Sequence, residues 1–343
     1  MRIVIDAMGS DSHPDPEIHA AVEAAKYWSD KIILVGPEDE IHARLRMLTM
    51  SYPSIEVVHA PEILEMTDKP AESARRKSQN SMAVGIDLIK SGEADAFITA
   101  GNTGGAMATA LFRLGRLKSV KRPALTALFP VRNGHCVVLD IGANADCKPE
   151  YLQQFAIMGS VYANKVLGKS NPKVALLSNG EEAGKGNELV KEAFPLLQSS
   201  GVNFIGNVEG KELFGGQADV VVTDGFTGNI LLKSSEAVAR LIVDLLRDEL
   251  TSSLRTKAGA LLARPAFSSI KKLMDPAEVG AAPLLGINGL VFVGHGRSDS
   301  RAMFNAVRVA RQAVESDLLN ALRSAIQDRL AQSQALETAE VAQ

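Results

Sequence analysis

Glycine, asparagine and small hydroxyl residues recur in four short segments of this 343-residue chain, and together they describe a place to hold an anion. The segments are Gly101-Asn102-Thr103-Gly104-Gly105, Ile141-Gly142-Ala143-Asn144, Asn179-Gly180 through Gly184-Lys185-Gly186-Asn187, and Gly225-Phe226-Thr227-Gly228-Asn229. Each follows a strand-like run and sits at the start of a helical pattern. Glycine lets the backbone approach a ligand closely, and the free N–H groups and dipole of a helix start favour negative charge. Asn102, Thr103 and Asn229 add neutral donors, and Lys185 adds a cation. A single turn of this kind is more often only a helix cap. Four at equivalent places point to an anion-binding cleft.

Other chemistries find less support. No strict GxGxxG occurs, and GEEAGKG is one residue short of a P-loop and lacks Ser or Thr after its lysine. GxSxG and HExxH are absent. The six histidines show no metal-ligand spacing, so neither a metal nor a cofactor is expected. Cys136 and Cys147 have no histidine neighbour and read as structural. What remains is catalysis without a covalent enzyme intermediate, in which the protein positions reactants and stabilises charge.

The elements that must position these turns are legible as alternating runs. Strands are expected at Arg2–Asp6, Lys31–Val35, Ile55–Val58, Asp95–Thr99, Ala124–Phe129, His135–Asp140, Lys173–Ser178, Ala218–Asp224 and Leu290–Val293. Several are continuously apolar, as in strands covered on both faces. The clearest helix opens at Pro149 and stops at Gly168, with the expected proline and glycine punctuation. The alternation predicts an α/β fold, a mostly parallel sheet with helices on both faces, whose ligands bind beyond the carboxyl ends of strands. Residues 1–330 read as one catalytic domain, with a strandless helical segment at 233–274. One last helix is expected from Ser300 to Leu330, and residues 331–343 read as a flexible tail.

Composition narrows the partners. Aromatic residues are only 5%, which disfavours stacked bases or sugars. With 37 basic against 40 acidic residues the net charge is -3, which gives no support to nucleic-acid binding. Two cysteines cannot build a disulfide framework and fit a reducing, cytoplasmic setting. MRIVIDAMGS reads as a strand and turn rather than a signal sequence, and no apolar run is long enough to span a membrane. Membrane contact would be peripheral.

Seven ordered segments then carry a resemblance. IDAMGSD, ITAGNTGGAMA, LDIGANADCKPEYLQQFA, NGEEAGKGNEL, FIGNVEGKELF, ADVVVTDGFTGNILLK and GAAPLLGINGLVFVGHGRSD are similar to the bacterial phosphate acyltransferase (PlsX) family of phospholipid synthesis, from about Arg2 to about Arg311. The resemblance implies transfer of a long-chain acyl group from acyl carrier protein to inorganic phosphate. It also implies a homodimer with a fold similar to phosphotransacetylase and to the isocitrate and isopropylmalate dehydrogenases. Gly105 departs from the family pattern, where alanine is usual.

For that reaction Lys185 is assigned to the phosphate or the oxyanion, with Asn102, Thr103, Asn187 and Asn229 as neutral donors. Gly101, Gly104 and Gly228 complete the binding turns. Asp6 and Asp224, at strand ends, would orient Lys185 or the asparagine amides, or else cap turns. His295 in GHGRSD could protonate the leaving thiolate, although a turn-stabilising histidine is the commoner case.

Arg75-Arg76-Lys77 reads chiefly as a solvated helix face. Arg255, Lys257, Arg264, Lys271 and Lys272 are interleaved with Leu254, Leu261, Leu262, Phe267, Ile270 and Leu273. That mixture suits a carrier-protein dock, a dimer contact and a helix lying on anionic lipid alike. Rival readings of the whole chain are an acyl-CoA-using phosphotransacylase, a dehydrogenase of the same fold, and a catalytically silent binding protein.

Overall fold

The computed structural model describes residues 1–48, 51, 53–132 and 134–341. Among them one sheet is formed by β1 (Arg2–Asp6), β2 (Lys31–Gly36), β3 (Ile55–His59), β4 (Ala96–Thr99), β5 (Ala124–Val131), β6 (Gly134–Leu139), β7 (Lys173–Leu177), β8 (Asn203–Val208), β9 (Val220–Val222), β10 (Ala281–Leu285) and β11 (Val291–Gly294). Their order is β3-β2-β1-β4-β11-β10-β5-β6-β9-β7-β8. Seven of the ten pairings are parallel. The three antiparallel ones, β11–β10, β10–β5 and β5–β6, lie together at the centre.

Those three reversals divide the sheet into two parallel halves that run in opposite directions. The carboxyl ends of β1, β4 and β11 therefore share one edge, and those of β6, β9 and β7 share the other. The four glycine-rich turns are not all at one edge, as equivalent places in a single parallel sheet would require. They form two walls.

Alternation along the strands assigns each side chain to a face. Ile3, Ile5, Ile32, Leu34, Val137 and Leu139 enter one core, with the helices Asp15–Tyr27, Pro149–Lys165 and Ser300–Glu315. Val4, Ile33, Val35, Phe97, Val138 and Val221 enter the other, with the helices Ser81–Lys90 and Thr103–Arg113. Apolar contact on both sides is why these strands carry almost no polar residues.

Nine expected strands are present with shifts of one or two residues at their ends, and two were missed. β8 is an edge strand pairing only with β7, so Gly206 and Asn207 interrupt its apolar run. β10 contains Pro283, ordinarily a mark against a central strand. Here the Pro283 carbonyl accepts a hydrogen bond from Thr126 Oγ1 at 2.8 Å.

The expected last helix is two, Ser300–Glu315 and Leu318–Val341, broken at Asp317 with φ 53°. Residues of the expected tail continue that second helix to Val341; Ala342 and Gln343 lie outside the described residues. The strandless segment is two helices, Gly225–Thr251 and Leu254–Met274, joined where Ser253 and Thr256 form a reciprocal cap. These helices leave Leu245 56%, Leu261 69% and Leu262 85% exposed. No helix among the described residues is long and apolar enough to cross a membrane.

Candidate active site

The first wall is built by side chains far apart in the sequence. β1 and β4 pair in parallel, Ile5 opposite Ile98, so Asp6 and Thr99 end side by side. Asp6 is fully buried. Its Oδ2 accepts from Thr99 Oγ1 at 2.7 Å and its Oδ1 from the Met8 N–H at 3.1 Å. Thr99 Oγ1 in turn accepts the Gly101 N–H at 3.0 Å, so Asp6 fixes the Gly101 turn at one remove. Burial pushes the Asp6 carboxyl up, and the Ser81, Thr99 and Met8 hydrogen bonds oppose it. Asp6 thus orients Thr99, not Lys185.

Asn102 changes role. Its Oδ1 caps the helix Thr103–Arg113 by accepting the Gly105 N–H at 2.9 Å. Its Nδ2 points at the carbonyls of Met66, Asp68 and Glu65, at 3.0, 3.2 and 3.3 Å. Both ends of the amide are engaged by backbone, which leaves it a staple for the 65–68 loop rather than a substrate donor. Thr103 is exposed in the first turn, with Gly104 behind it. Their N–H groups belong to the set that a helix start leaves without an intrahelical acceptor.

The second wall is organised by a residue the sequence reading did not single out. Asp140 follows β6 and is fully buried. Its Oδ1 accepts the N–H groups of Leu125, Gly142 and Ala143 at 3.0, 3.2 and 3.0 Å. Its Oδ2 accepts Asn144 N–H at 2.7 Å and Asn144 Nδ2 at 2.9 Å. Burial pushes this carboxyl up, and the hydrogen bonds from Ala143, Asn144 and Leu125 oppose that. The signal for it was present: IVID, VVLD and VVTD each end an apolar run in aspartate with glycine one to three residues on.

Asp224 caps the helix Gly225–Thr251, accepting Thr227 N–H at 2.8 Å and Thr227 Oγ1 at 2.7 Å. Asn187 caps the helix Glu188–Gln198 by accepting Val190 N–H at 3.0 Å. These two side chains hold helix starts and do not orient Lys185. Lys185 is exposed on the β7 turn, folded over Gly180, where an added Cβ would meet its Cγ at 2.7 Å. That turn is tied down by buried Asn207, missed in the sequence, whose Nδ2 donates to Glu182 O at 2.9 Å.

The walls meet over the central strands. A pocket of about 110 Å³ has Thr103 and Gly104 from the first wall, and Gly142 and Ala143 from the second, at its rim. Its floor is Met107, Leu125, Leu284 and Val293, and the last three belong to β5, β10 and β11. Asn229 is exposed beside it: a Cβ at Gly142 would lie 3.9 Å from Asn229 Oδ1. Gly228 packs so closely that a Cβ there would come within 1.9 Å of the Asp140 carbonyl oxygen. Of the expected residues, Thr103 and Gly104 line the pocket, Gly228 and Asn229 lie against Asp140 and Gly142 beside it, and Gly101 is buried against Met82 and Gly9. Lys185 and Asn187 stand on the same edge of the sheet as Asn229 but do not line the pocket.

His295, after β11, accepts the Arg297 N–H through Nδ1 at 3.3 Å, and its carbonyl accepts from Ser298. Partial burial, then Lys233 and Arg297, hold its imidazolium below the usual range, against Glu236 and Asp11. A histidine held neutral is a poor proton donor to a leaving thiolate. Burial also pushes the Cys136 and Cys147 thiols up to about 12, so neither offers a thiolate nucleophile near neutral pH.

Known proteins share both this fold and this sequence. A family model described as fatty acid synthesis protein matches residues 1–321. The phosphate acyltransferase of Pelotomaculum thermopropionicum is 46% identical over 327 residues, 95% of each chain. That of Elusimicrobium minutum is also 46% identical, over 95% of this chain and 96% of the other. Among solved structures, a phosphotransacetylase from Streptococcus pyogenes aligns with TM-score 0.62 at 17% identity, covering 92% of this chain and 94% of that one. The EutD phosphotransacetylase from Staphylococcus aureus aligns with TM-score 0.59 at the same identity and coverage. At that identity the structural likeness speaks for the fold alone. The sequence match over nearly the whole length decides the family: this chain belongs to the phosphate acyltransferases and is an acyltransferase enzyme.

Proposed function

We propose that the enzyme transfers a long-chain fatty acyl group from acyl carrier protein to inorganic phosphate, releasing the carrier thiol and an acyl phosphate for phospholipid synthesis. The observation that carries this reading is the pocket where the Thr103–Gly104 helix start meets Gly142–Ala143 over an apolar floor. A helix start suits a phosphate dianion, and Met107, Leu125, Leu284 and Val293 suit the first apolar atoms beside the thioester carbonyl. A phosphate oxygen attacks the thioester carbonyl carbon. The carbonyl electrons move onto oxygen, and collapse of that oxyanion expels the pantetheine thiolate, which takes its proton from solvent.

In this scheme the amide of Asn229 and the free Nδ2 of Asn187 donate to the oxyanion or phosphate. Lys185 supplies the positive charge, and Thr103 with Gly104 supplies backbone N–H groups. Removing one such donor costs on the order of 3 kcal/mol of transition-state stabilisation, so Lys185→Ala should slow the reaction about a hundredfold. The assay is phosphate-dependent thiol release from long-chain acyl carrier protein and from acyl-CoA. Equal use of both donors would overturn the carrier-protein assignment, and a Lys185→Ala enzyme at the parent rate would overturn the role of the cation.

The exposed leucines of the helices Gly225–Thr251 and Leu254–Met274 support an intermolecular contact there. We place a homodimer contact on this pair first, with the carrier protein and an anionic membrane surface as the other occupants. The Lys271 side chain of the basic cluster lies outside the described residues. Sedimentation of the parent chain and of a Leu261→Glu/Leu262→Glu variant separates these, since only a dimer seam dissociates without lipid or carrier present. The two free cysteines support a reducing, cytoplasmic setting.

A further inference from the structure

Asp140 does more than close its own turn. Three of the donors to it, the N–H groups of Gly142, Ala143 and Asn144, come from the stretch that forms the second rim of the pocket. The Asp140 carbonyl oxygen lies against Gly228, and Gly142 lies against Asn229. Asn144 links the same group to the next helix start: its carbonyl accepts the Gly225 N–H at 2.8 Å, while its Nδ2 bridges Asp140 Oδ2 and Pro123 O. One buried carboxylate therefore sets the backbone on which the first turn of the helix Gly225–Thr251 rests.

We propose that Asp140 is a positioning residue for the acyl transfer, acting on the substrate chiefly through Asn229. The proposal rests on the reading that the Asn229 amide contacts the reacting groups. Asp140 has no access to them, being fully buried with both oxygens engaged. Its effect on catalysis must pass through the turn it holds. Asp140→Asn keeps the shape but presents an N–H₂ group to donors that need an acceptor, so the turn shifts while the core does not.

The test is a kinetic double-mutant cycle of Asp140→Asn and Asn229→Ala, with kcat and the KM for inorganic phosphate measured for each enzyme. Asn229→Ala alone should lower kcat about a hundredfold. Asp140→Asn alone should lower it at least about tenfold, with KM within about threefold of the parent. The double variant should be no slower than Asn229→Ala within about threefold, because the group that Asp140 positions is already gone. Multiplied effects in the double variant would overturn the proposal. An Asn229→Ala enzyme at the parent rate would sink the underlying reading instead. Should Asp140→Asn not fold, Asn144→Ala, which removes one of the five donors, replaces it in the cycle with the same expectation and a smaller single effect.

Discussion

The two walls of the pocket use the same residue type in different ways. On the second wall Asp140 receives five hydrogen bonds, four of them from residues two to four places along the chain. On the first wall Asp6 reaches across 93 residues to Thr99, and Asn102 reaches back 34 to 37 residues to the 65–68 loop. A second buried carboxyl on the first wall, Glu17, accepts the Ser10 N–H at 2.9 Å, while its Oε2 and Ser10 Oγ have no partner. The second wall is centred on a locally satisfied turn, although Ser178 Oγ and Asn207 Oδ1 beside its β7 turn lack a partner too. The first is a long-range assembly, and its buried Glu17 is the group that should respond to pH.

The sharpest way to break this comparison is to wedge each wall apart where a glycine meets backbone. A Cβ at Gly228 would sit 1.9 Å from a backbone oxygen of Asp140; one at Gly9 would sit 2.8 Å from the Ala100 nitrogen. Backbone cannot rotate away as a side-chain tip can. Gly228→Ala should therefore cost about 3 kcal/mol or more and remove activity, and Gly9→Ala should cost less. Urea unfolding and the thiol-release assay measure both. An inverted order would mean that the second wall is the more yielding one.

Next in size is a pH effect of Glu17 on the first wall. Burial raises the Glu17 carboxyl to about 7, against the hydrogen bond from the Ser10 N–H. A raised folded-state value means that its contribution is fully present below the unfolded value near 4.5 and is lost as pH rises through about 7. The parent should lose stability between pH 5 and 8, by no more than about 3 kcal/mol. Glu17→Gln keeps an acceptor for Ser10 but cannot ionise, so its unfolding free energy should lack that component of the slope. Parallel slopes for the two proteins would show that Glu17 does not titrate in this range.

Sequence pattern made the second wall more legible than the first for the same reason that it is locally satisfied. IGANAD, NGEEAGKGN and GFTGN display their turn chemistry within a few residues, and the strand–helix alternation supplied their edge of the sheet. Even there, a cap and a substrate donor look alike in sequence: Asp224 and Asn187 spend carboxylate or carbonyl on the helix start. On the first wall nothing local says that Asn102 will meet Met66, because that contact depends on how the 65–68 loop passes the helix Thr103–Arg113. The opposed directions of the two half-sheets were also hidden. They follow from β10 and the β5–β6 hairpin, and β10 was masked by its proline.

The smallest expected effect concerns Gly105 in the first wall's turn. A Cβ there would meet Leu64 Cδ2 at 2.6 Å, the far end of a flexible side chain, in a small cluster with Ala74 and Ala108. The glycine makes room for Leu64; it is not needed for an unusual backbone. Gly105→Ala gains up to about 1 kcal/mol of helix propensity, and turning Leu64 off its rotamer costs about 0.5–1.5 kcal/mol. The two nearly cancel, so the unfolding free energy should move by less than about 1 kcal/mol. In a Leu64→Ala background the clash is gone, and the same substitution should become stabilising by about 1 kcal/mol. A double-mutant cycle in urea measures that difference. Equal effects in both backgrounds would mean that Leu64 is not what Gly105 accommodates.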